Sequence, residues 1–212
     1  FASITLDHCT TGPVIAVEGT ELTARDSIVD ASAEEEIAIA GRAPVPDAPR
    51  GVSNAADRET GDGLAPAGHV TLDACTVVGR IHAERLDVSN SILRARPRDP
   101  VDAWPAPVWA ERRQVGCMRF SYVPPGSRTP RRFNCAGDDP AHRPHHTSLR
   151  FGDPGYGQLR PTTHDAIRTG ASDESEMGVT HELYQPQREA NLRLRLDEYL
   201  RFGLEAGFFY AT

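Results

Sequence analysis

Residues 70–79 read VTLDACTVVG, and this stretch decides the fold. Val70 and Leu72 are apolar residues two positions apart, which is the alternation of a β-strand with one buried face. A small residue, Cys75, separates them from a second apolar run at residues 76–78. The pattern predicts two short strands with a small inward or corner residue between them.

The same pattern occurs around four small residues, Cys9, Ser27, Cys75 and Ser91. Apolar residues precede them at fixed offsets, and Thr or Ile follows directly. The spacings are 18, 48 and 16 residues. The long interval contains residues 41–67, which are rich in Pro, Gly, Ala and Asp and show no periodicity. We interpret them as a loop inserted into one turn of a repeat.

A repeat of about 16–21 residues with short strands is typical of a β-solenoid, in which stacked coils bury ladders of like residues. The sequence therefore predicts a mainly β protein. Residues 1–95 are expected to form a short parallel β-helix, with the four small residues in one ladder. Residues 96–212 are expected to form a small α+β C-terminal capping and docking region with one amphipathic helix.

Two stretches resemble known proteins. VTLDACTVVG and LTARDSIVDA look like coils of right-handed parallel β-helix proteins, and this likeness covers residues 3–95. Because four coils are few, we expect this half to end a longer solenoid. The segment SEMGVTHELYQPQREANLRLRLDEYLRFGLEAGFFYAT, residues 175–212, resembles the C-terminal region of bacterial β-helix proteins found with phage-tail-like, contractile-injection-type gene sets, and this likeness covers roughly residues 105–212. The resemblance implies a particle-associated or surface role and carries over no catalytic residues.

The second half of the chain contains one predicted pair of strands and two cysteines, Cys117 and Cys135. Residues 117–123 alternate as a strand does, residues 124–126 predict a turn, and residues 131–135 could return antiparallel. Cys117 and Cys135 would then lie near each other across a wide hairpin, so a disulfide between them is conceivable if their Cα atoms lie within about 7 Å.

The clearest helix is predicted over residues 186–206, beginning with Pro186 and stopping before Gly207. Its apolar residues fall on one broad arc that we expect to cover the core. The aromatic C-terminal end of the chain should dock as a strand, either on this molecule or on a neighbouring one. The candidate docking residues are Leu192, Leu196, Leu200, Phe208, Phe209 and Tyr210.

Composition excludes several classes of protein. The chain is 39 % apolar and 25 % charged, which is neither disordered nor membrane-embedded. All 23 basic residues are Arg, yet the net charge is −7, so general nucleic-acid binding is disfavoured. Residues 1–92 carry −9 and residues 93–168 carry +6. The basic middle could meet an acidic face of this chain or of a partner.

Chemistry-bearing motifs are few. The sequence lacks G-x-S-x-G, H-E-x-x-H, P-loop and G-x-G-x-x-G motifs, so we expect no catalytic, cofactor or metal site. Asp7 and Asp73 share one repeat position, but Arg25 stands between them, which favours a neutralised surface stripe, with Asp26 adjacent. The HRPHH cluster at residues 142–146, with Cys135, invites a metal hypothesis, but solvated surface histidines suit its spacing better.

These features predict a non-enzymatic structural or assembly protein of a bacterial surface or phage-tail-like particle. It would act through contacts with other protein subunits, as a homo-oligomer or particle component, without nucleic acid or a membrane span. The alternative is a carbohydrate-active or carbohydrate-binding β-helix protein, a lyase, a hydrolase or a module that binds sugar through Trp104 or Trp109.

Overall fold

The computed structural model describes residues 2–42, 64–98 and 104–207. Most of the predicted inserted loop, and the terminal Phe208, Phe209 and Tyr210, lie outside the described residues. The strands are β1 (Ser3–Asp7), β2 (Thr10–Thr11), β3 (Val14–Val17), β4 (Glu21–Arg25), β5 (Ile28–Asp30), β6 (Ile37–Arg42), β7 (Leu64–Ala65), β8 (Ala67–Asp73), β9 (Thr76–Val78), β10 (Arg80–Ser89), β11 (Ile92–Arg94), β12 (Val108–Ala110), β13 (Cys117–Arg119) and β14 (Arg131–Phe133). The helices are α1 (Asp165–Arg168), a 3-10 turn (His181–Leu183) and α2 (Gln185–Tyr199).

These strands form two sheets. The larger has ten strands and runs along the path β1-β4-β8-β10-β13-β14, with β12 and β6 also paired to β10, and with β3 and β7 paired to β6. The smaller has four strands in the order β11-β9-β5-β2. Within the described part of the chain, every pair of these strands is parallel except β6 with β7.

The pairing register brings like residues of the repeat together. Leu22 pairs with Ile4 on one side and with Val70 on the other, and Val70 pairs in turn with Leu86. Leu22, Val70 and Leu86 are at most 2 % exposed, whereas Ile4 is only half-buried because β1 is the outermost strand. A single hydrophobic core therefore runs between the strands and weakens toward β1.

The four small residues of the repeat follow residues with left-handed backbone. His8, Asp26, Ala74 and Asn90 have φ angles between 48° and 50°. The backbone N–H of Cys9 donates to Ser27 Oγ at 3.1 Å, and that of Cys75 donates to Ser91 Oγ at 3.0 Å. The same turn recurs after Phe120 and Asn134, at φ 49° and 47°, so these turns continue past residue 95.

The prediction of a short parallel β-helix is wrong: the sheets do not form a solenoid. A solenoid repeats a coil whose short strands are separated by turns into distinct faces. Here β10 runs for ten residues without a turn. Its first half pairs with β6 and β12 and its second half with β8 and β13, so all of these strands join one continuous sheet.

The antiparallel return predicted after residue 123 is also wrong. β14 pairs parallel with β13, placing Arg131 opposite Cys117 and Phe133 opposite Arg119. Because the two strands are parallel, the chain must cross back from the end of β13 to the start of β14. Cys135 lies beyond Phe133 and is not opposite Cys117, and both cysteines are free thiols.

The C-terminal segment packs on the four-stranded sheet. Ile167 and Met177 form a small core with Ile92 and Tyr122. The Tyr156 hydroxyl donates to Asp30 Oδ2 at 2.6 Å, which ties the segment to β5. This packing brings residues near position 180 close to the turns that follow β1 and β4.

Candidate functional site

Helix α2 exposes apolar side chains along its length. It begins after Tyr184, which has left-handed backbone, and none of its own residues is buried. Leu192, Leu194 and Tyr199 are 48 %, 63 % and 85 % exposed, and Phe202 beyond the helix is fully exposed. Because several large apolar side chains are exposed on this one element, α2 is a candidate contact surface.

The helix is attached to the rest of the molecule near its beginning. Arg168 Nη2 lies 3.3 Å from Glu189 Oε2, and Glu189 also pairs with Arg193. Because none of the residues of α2 is buried, the prediction that the apolar arc of the helix covers the core is wrong. Arg188, Arg193 and Arg195 border the apolar residues, and this charge makes the arc a poor fit to a fully buried position.

One stripe of α2 is suited to contact with a partner. Leu192, Leu196 and Tyr199 follow each other at spacings of four and three residues, so they lie on one face of the helix. Leu196 is half-buried, and the other two are exposed. Leu194 lies about 200° around the helix from Leu192 and belongs to the opposite face. We call the three residues the α2 stripe.

The outer edge of β1 is a second uncovered apolar surface. Ile4 and Leu6 pack against the main core but remain half-buried. Among the described strands, β1 has a neighbour, β4, on one side only. Exposed Asp7 and Glu21 give this surface acidic charge. We call it the β1 edge.

A cluster of carboxylates surrounds His8 at the end of β1. His8 Nδ1 lies 3.1 Å from Asp7 Oδ1, and His8 Nε2 lies 3.9 Å from Asp26 Oδ2 and 3.8 Å from Glu182 Oε2. The hydrogen bond with Asp7 raises the pKa of His8. Burial raises the pKa of Asp26, helped by the nearby carboxylates of Glu182 and Asp73.

The predicted column of alternating charge is present next to this cluster. Arg25 pairs with Asp7 on one side and with Asp73 on the other in the strand register. Ser89 Oγ donates to Asp73 Oδ1 at 2.9 Å. The sequence places Asp7, Asp26 and Asp73 near one another, but it carries no signal that Glu182, more than a hundred residues further along the chain, joins them.

Both tryptophans pack against His82 rather than forming an open platform. The Trp109 and His82 rings are stacked at 3.9 Å, and Trp104 meets His82 edge-on at 5.2 Å. Trp104 is only 5 % exposed. His82 Nε2 lies 2.8 Å from Glu111 Oε1, while burial lowers the pKa of His82. This cluster holds β10 and β12 together.

The histidine-rich loop does not gather around a metal-binding centre in the described part of the chain. His146 is buried, and its Nδ1 lies 2.8 Å from Arg94 Nη1. The ring of His142 contacts that of His164 instead, and His145 is exposed. Among the described residues, the His, Cys, Asp and Glu side chains close enough to share a metal ion are Asp7, His8 and Asp26.

The remaining cysteines have the character of structural residues. Cys75 is fully buried, and burial raises the pKa of its thiol to about 12. Cys9 Sγ lies 3.7 Å from Ser27 Oγ within the column of turns. Burial also raises the pKa of Cys135. Neither Cys75 nor Cys135 has the lowered pKa that a reactive cysteine needs.

A cavity of about 370 Å³ lies beside Glu34. Arg94 and Arg96 both bind the Glu34 carboxylate, and Arg143 Nη2 lies 3.9 Å from it. Because Glu34 already pairs with these guanidinium groups, we infer that the cluster joins loops of the protein and does not bind a ligand.

The chain has no match among protein-family models, curated proteins or solved structures. Among the described residues, no helix is long and apolar enough to cross a bilayer. The functional argument therefore depends on the surfaces and side-chain clusters of this chain alone.

Proposed function

We propose that this chain is a non-enzymatic assembly protein of a bacterial surface or phage-tail-like particle, acting through protein–protein contacts. The observation that carries the proposal is the uncovered apolar surface of α2, with Leu192 48 % and Tyr199 85 % exposed. Burial of such side chains in an interface is favourable by about 1.5–3 kcal/mol each. A helix that presents anchors at spacings of four and three residues suits a groove on a partner.

A second copy of the chain is the partner that we infer for α2. Arg188 and Arg195 flank the α2 stripe, whereas Arg193 pairs with Glu189, so two copies of α2 would bring Arg188 and Arg195 together. The β1 edge offers half-buried apolar residues beside the acidic Asp7 and Glu21. Covering an exposed sheet edge with a helix is a common solution to the risk of uncontrolled strand pairing.

This contact is heterologous, because it joins two different surfaces of the same protein. Each copy would present one α2 stripe and one β1 edge, so copies could add head to tail. Such contacts generate rings or open filaments, depending on the rotation between copies. An assembly of this kind suits the resemblance of residues 175–212 to proteins found with phage-tail-like gene sets.

Light scattering coupled to size-exclusion chromatography tests the proposal. We expect the wild-type chain to exceed its monomer mass of 23.1 kDa, increasingly so with concentration. Leu192→Glu should restore the monomer mass, because it puts a charge in the α2 stripe. Leu194→Glu is the matched control on the opposite face and should leave the larger species intact.

Circular dichroism establishes that both variants fold, which is expected because both side chains are exposed. A wild-type chain that remains monomeric at about 100 μM, near the weak limit of specific association, would overturn the proposal. Equal loss of assembly in both variants would also count against the α2 stripe.

The carbohydrate alternative gains no specific support from the described residues. Aromatic sugar platforms need an exposed ring face, whereas Trp109 is stacked on His82 and Trp104 is buried. We therefore do not advance it as a second function.

A further inference from the structure

We propose that Asp7, His8 and Asp26, with Glu182 beside them, form a binding site for a divalent transition-metal ion of the Zn²⁺ type. The site lies where β1 and β4 end and where the 3-10 turn of residues 181–183 approaches them. The proposal is independent of the assembly function.

The first argument is the orientation of the His8 ring. Asp7 Oδ1 lies 3.1 Å from His8 Nδ1, so Nδ1 is the nitrogen that donates a hydrogen bond to the carboxylate. In metal sites, a ligating histidine commonly donates its other ring N–H to a carboxylate, which fixes the ring and its tautomer. Asp7 therefore leaves the lone pair of Nε2 directed away from β1.

The second argument is the spacing of the other oxygens. His8 Nε2 is 3.9 Å from Asp26 Oδ2 and 3.8 Å from Glu182 Oε2, which is too long for hydrogen bonds. Two donors bound to one Zn²⁺ through bonds of about 2.0–2.2 Å lie up to about 4.2 Å apart. Each distance falls within that span, so an ion bound to His8 Nε2 can also reach the carboxylate oxygen of Asp26 or that of Glu182.

The third argument is the state of the Asp26 side chain. It is only 8 % exposed, and its Oδ1 is buried without a hydrogen-bond partner in the structure. A carboxylate in that condition is costly unless a cation or several donors compensate it. The nearby carboxylate of Glu182 adds negative charge, which a bound divalent cation would neutralise.

The donor set selects the class of metal. One imidazole with carboxylate oxygens suits Zn²⁺ and neighbouring transition metals, whereas Ca²⁺ and Mg²⁺ prefer sites of oxygen alone. Bound metal would join the ends of the first two strands of the large sheet to residues just before α2. The ion would therefore act as a structural clamp between distant parts of the chain.

Isothermal titration of Zn²⁺ into the chelator-treated chain at neutral pH tests the site. We expect one ion per chain. His8→Gln and Asp26→Asn should each weaken binding by at least about tenfold, because each removes a ligand. His69→Gln is the matched control, since His69 also pairs with a single carboxylate, Asp87, at 2.7 Å. Its affinity for Zn²⁺ should equal that of the wild-type chain.

A second measurement identifies the ligands. Co²⁺ bound at this site should give d–d absorption without the intense thiolate charge-transfer band of a cysteine site, and His8→Gln should abolish the spectrum. Circular dichroism checks that the variants fold. The proposal is overturned if the wild-type chain binds no Zn²⁺, which would leave His8 as a protonated bridge between carboxylates. It is also overturned if His69→Gln removes the binding or if the Co²⁺ spectrum shows thiolate ligands.

Discussion

At the scale of single residues, a column of serine and cysteine side chains fixes the turns between strands. Ser91 is fully buried, accepts a hydrogen bond from the Cys75 N–H, and donates one to the Ser89 carbonyl at 2.6 Å. Small side chains are needed there because the left-handed residue before each one brings successive turns close together. The column of serine and cysteine side chains therefore provides both hydrogen bonds to the backbone and tight packing between the turns.

Ser91→Ala should destabilise the protein by about 1–3 kcal/mol, because it leaves the buried Cys75 N–H without an acceptor. Urea denaturation measures the free energy of unfolding. Ser3→Ala, at an exposed position of β1, is the control and should change that free energy little. Equal stability of Ser91→Ala and wild type would show that the column does not hold the turns.

His146 makes stability depend on pH. Burial and the neighbouring Arg94 lower its pKa to about 3, while the unfolded chain has the ordinary value of about 6.5. Between these values the unfolded state binds one more proton, so stability is fully present above pH 6.5 and falls as the pH drops toward 3. From pH 7.5 to 5 this group should remove about 2 kcal/mol.

Urea denaturation at both pH values tests this expectation. His146→Gln should lose less stability on acidification than the wild-type chain, by roughly that amount. His142→Gln is the control in the same loop, since His142 is not among the groups that lower the pKa of His146, and it should lose as much as wild type. The account of His146 fails if all three proteins respond alike.

At the scale of elements, the repeated segments predict the register of β1, β4, β8 and the second half of β10. The offsets that align Ile4, Leu22, Val70 and Leu86 in the sequence are the pairings in the sheet. The register can be predicted because a slip of one residue would turn every buried side chain toward solvent. The continuity of β10 was not predicted, although no glycine or proline interrupts residues 80–89, because the repeat led us to expect a turn between short strands.

The strands after residue 95 lacked the repeat pattern for a related reason. Gly116 and Pro130 occupy the position where the earlier segments have an apolar residue, so the turns at Ser121 and Cys135 did not align by composition. Their left-handed residues, Phe120 and Asn134, show the relationship only in the structure. Backbone geometry is thus retained where side-chain chemistry is not.

The gradient of burial across the sheet gives an element-scale prediction. Leu86→Ala should cost about 2–5 kcal/mol, because Leu86 is fully buried in the core. Ile4→Ala, in the same row of the sheet, should cost only about 1 kcal/mol because Ile4 is half-buried at the edge. Dilute monomeric samples in urea measure both. Equal costs would mean that the β1 edge is already covered.

The helix shows what periodicity can and cannot establish. A helix was predicted over residues 186–206, and α2 occupies Gln185–Tyr199. The apolar pattern indicated a helix but not what covers its face, because a core and a partner both select leucine at spacings of three and four. The exposed fractions of Leu192 and Tyr199 decide between them only once the structure is known.

At the scale of the whole molecule, the two uncovered apolar surfaces, the α2 stripe and the β1 edge, lie on different parts of the chain. The first 92 residues carry −9, and the β1 edge belongs to that acidic part. The three arginines of α2 are matched by Glu189, Asp197 and Glu198, but Arg188 and Arg195 flank the stripe and can meet Asp7 and Glu21 of another copy. Such attraction steers encounter and weakens as salt is added.

Mixing two assembly-deficient variants tests the head-to-tail contact most directly. Leu192→Glu removes the α2 stripe but keeps the β1 edge, and Ile4→Glu does the reverse. Each variant alone should run as a monomer of 23.1 kDa in light scattering. Because one intact copy of each surface remains in the mixture, we expect a dimer of twice that mass and nothing larger. A mixture that stays monomeric, or variants that assemble as the wild type does, would contradict the account.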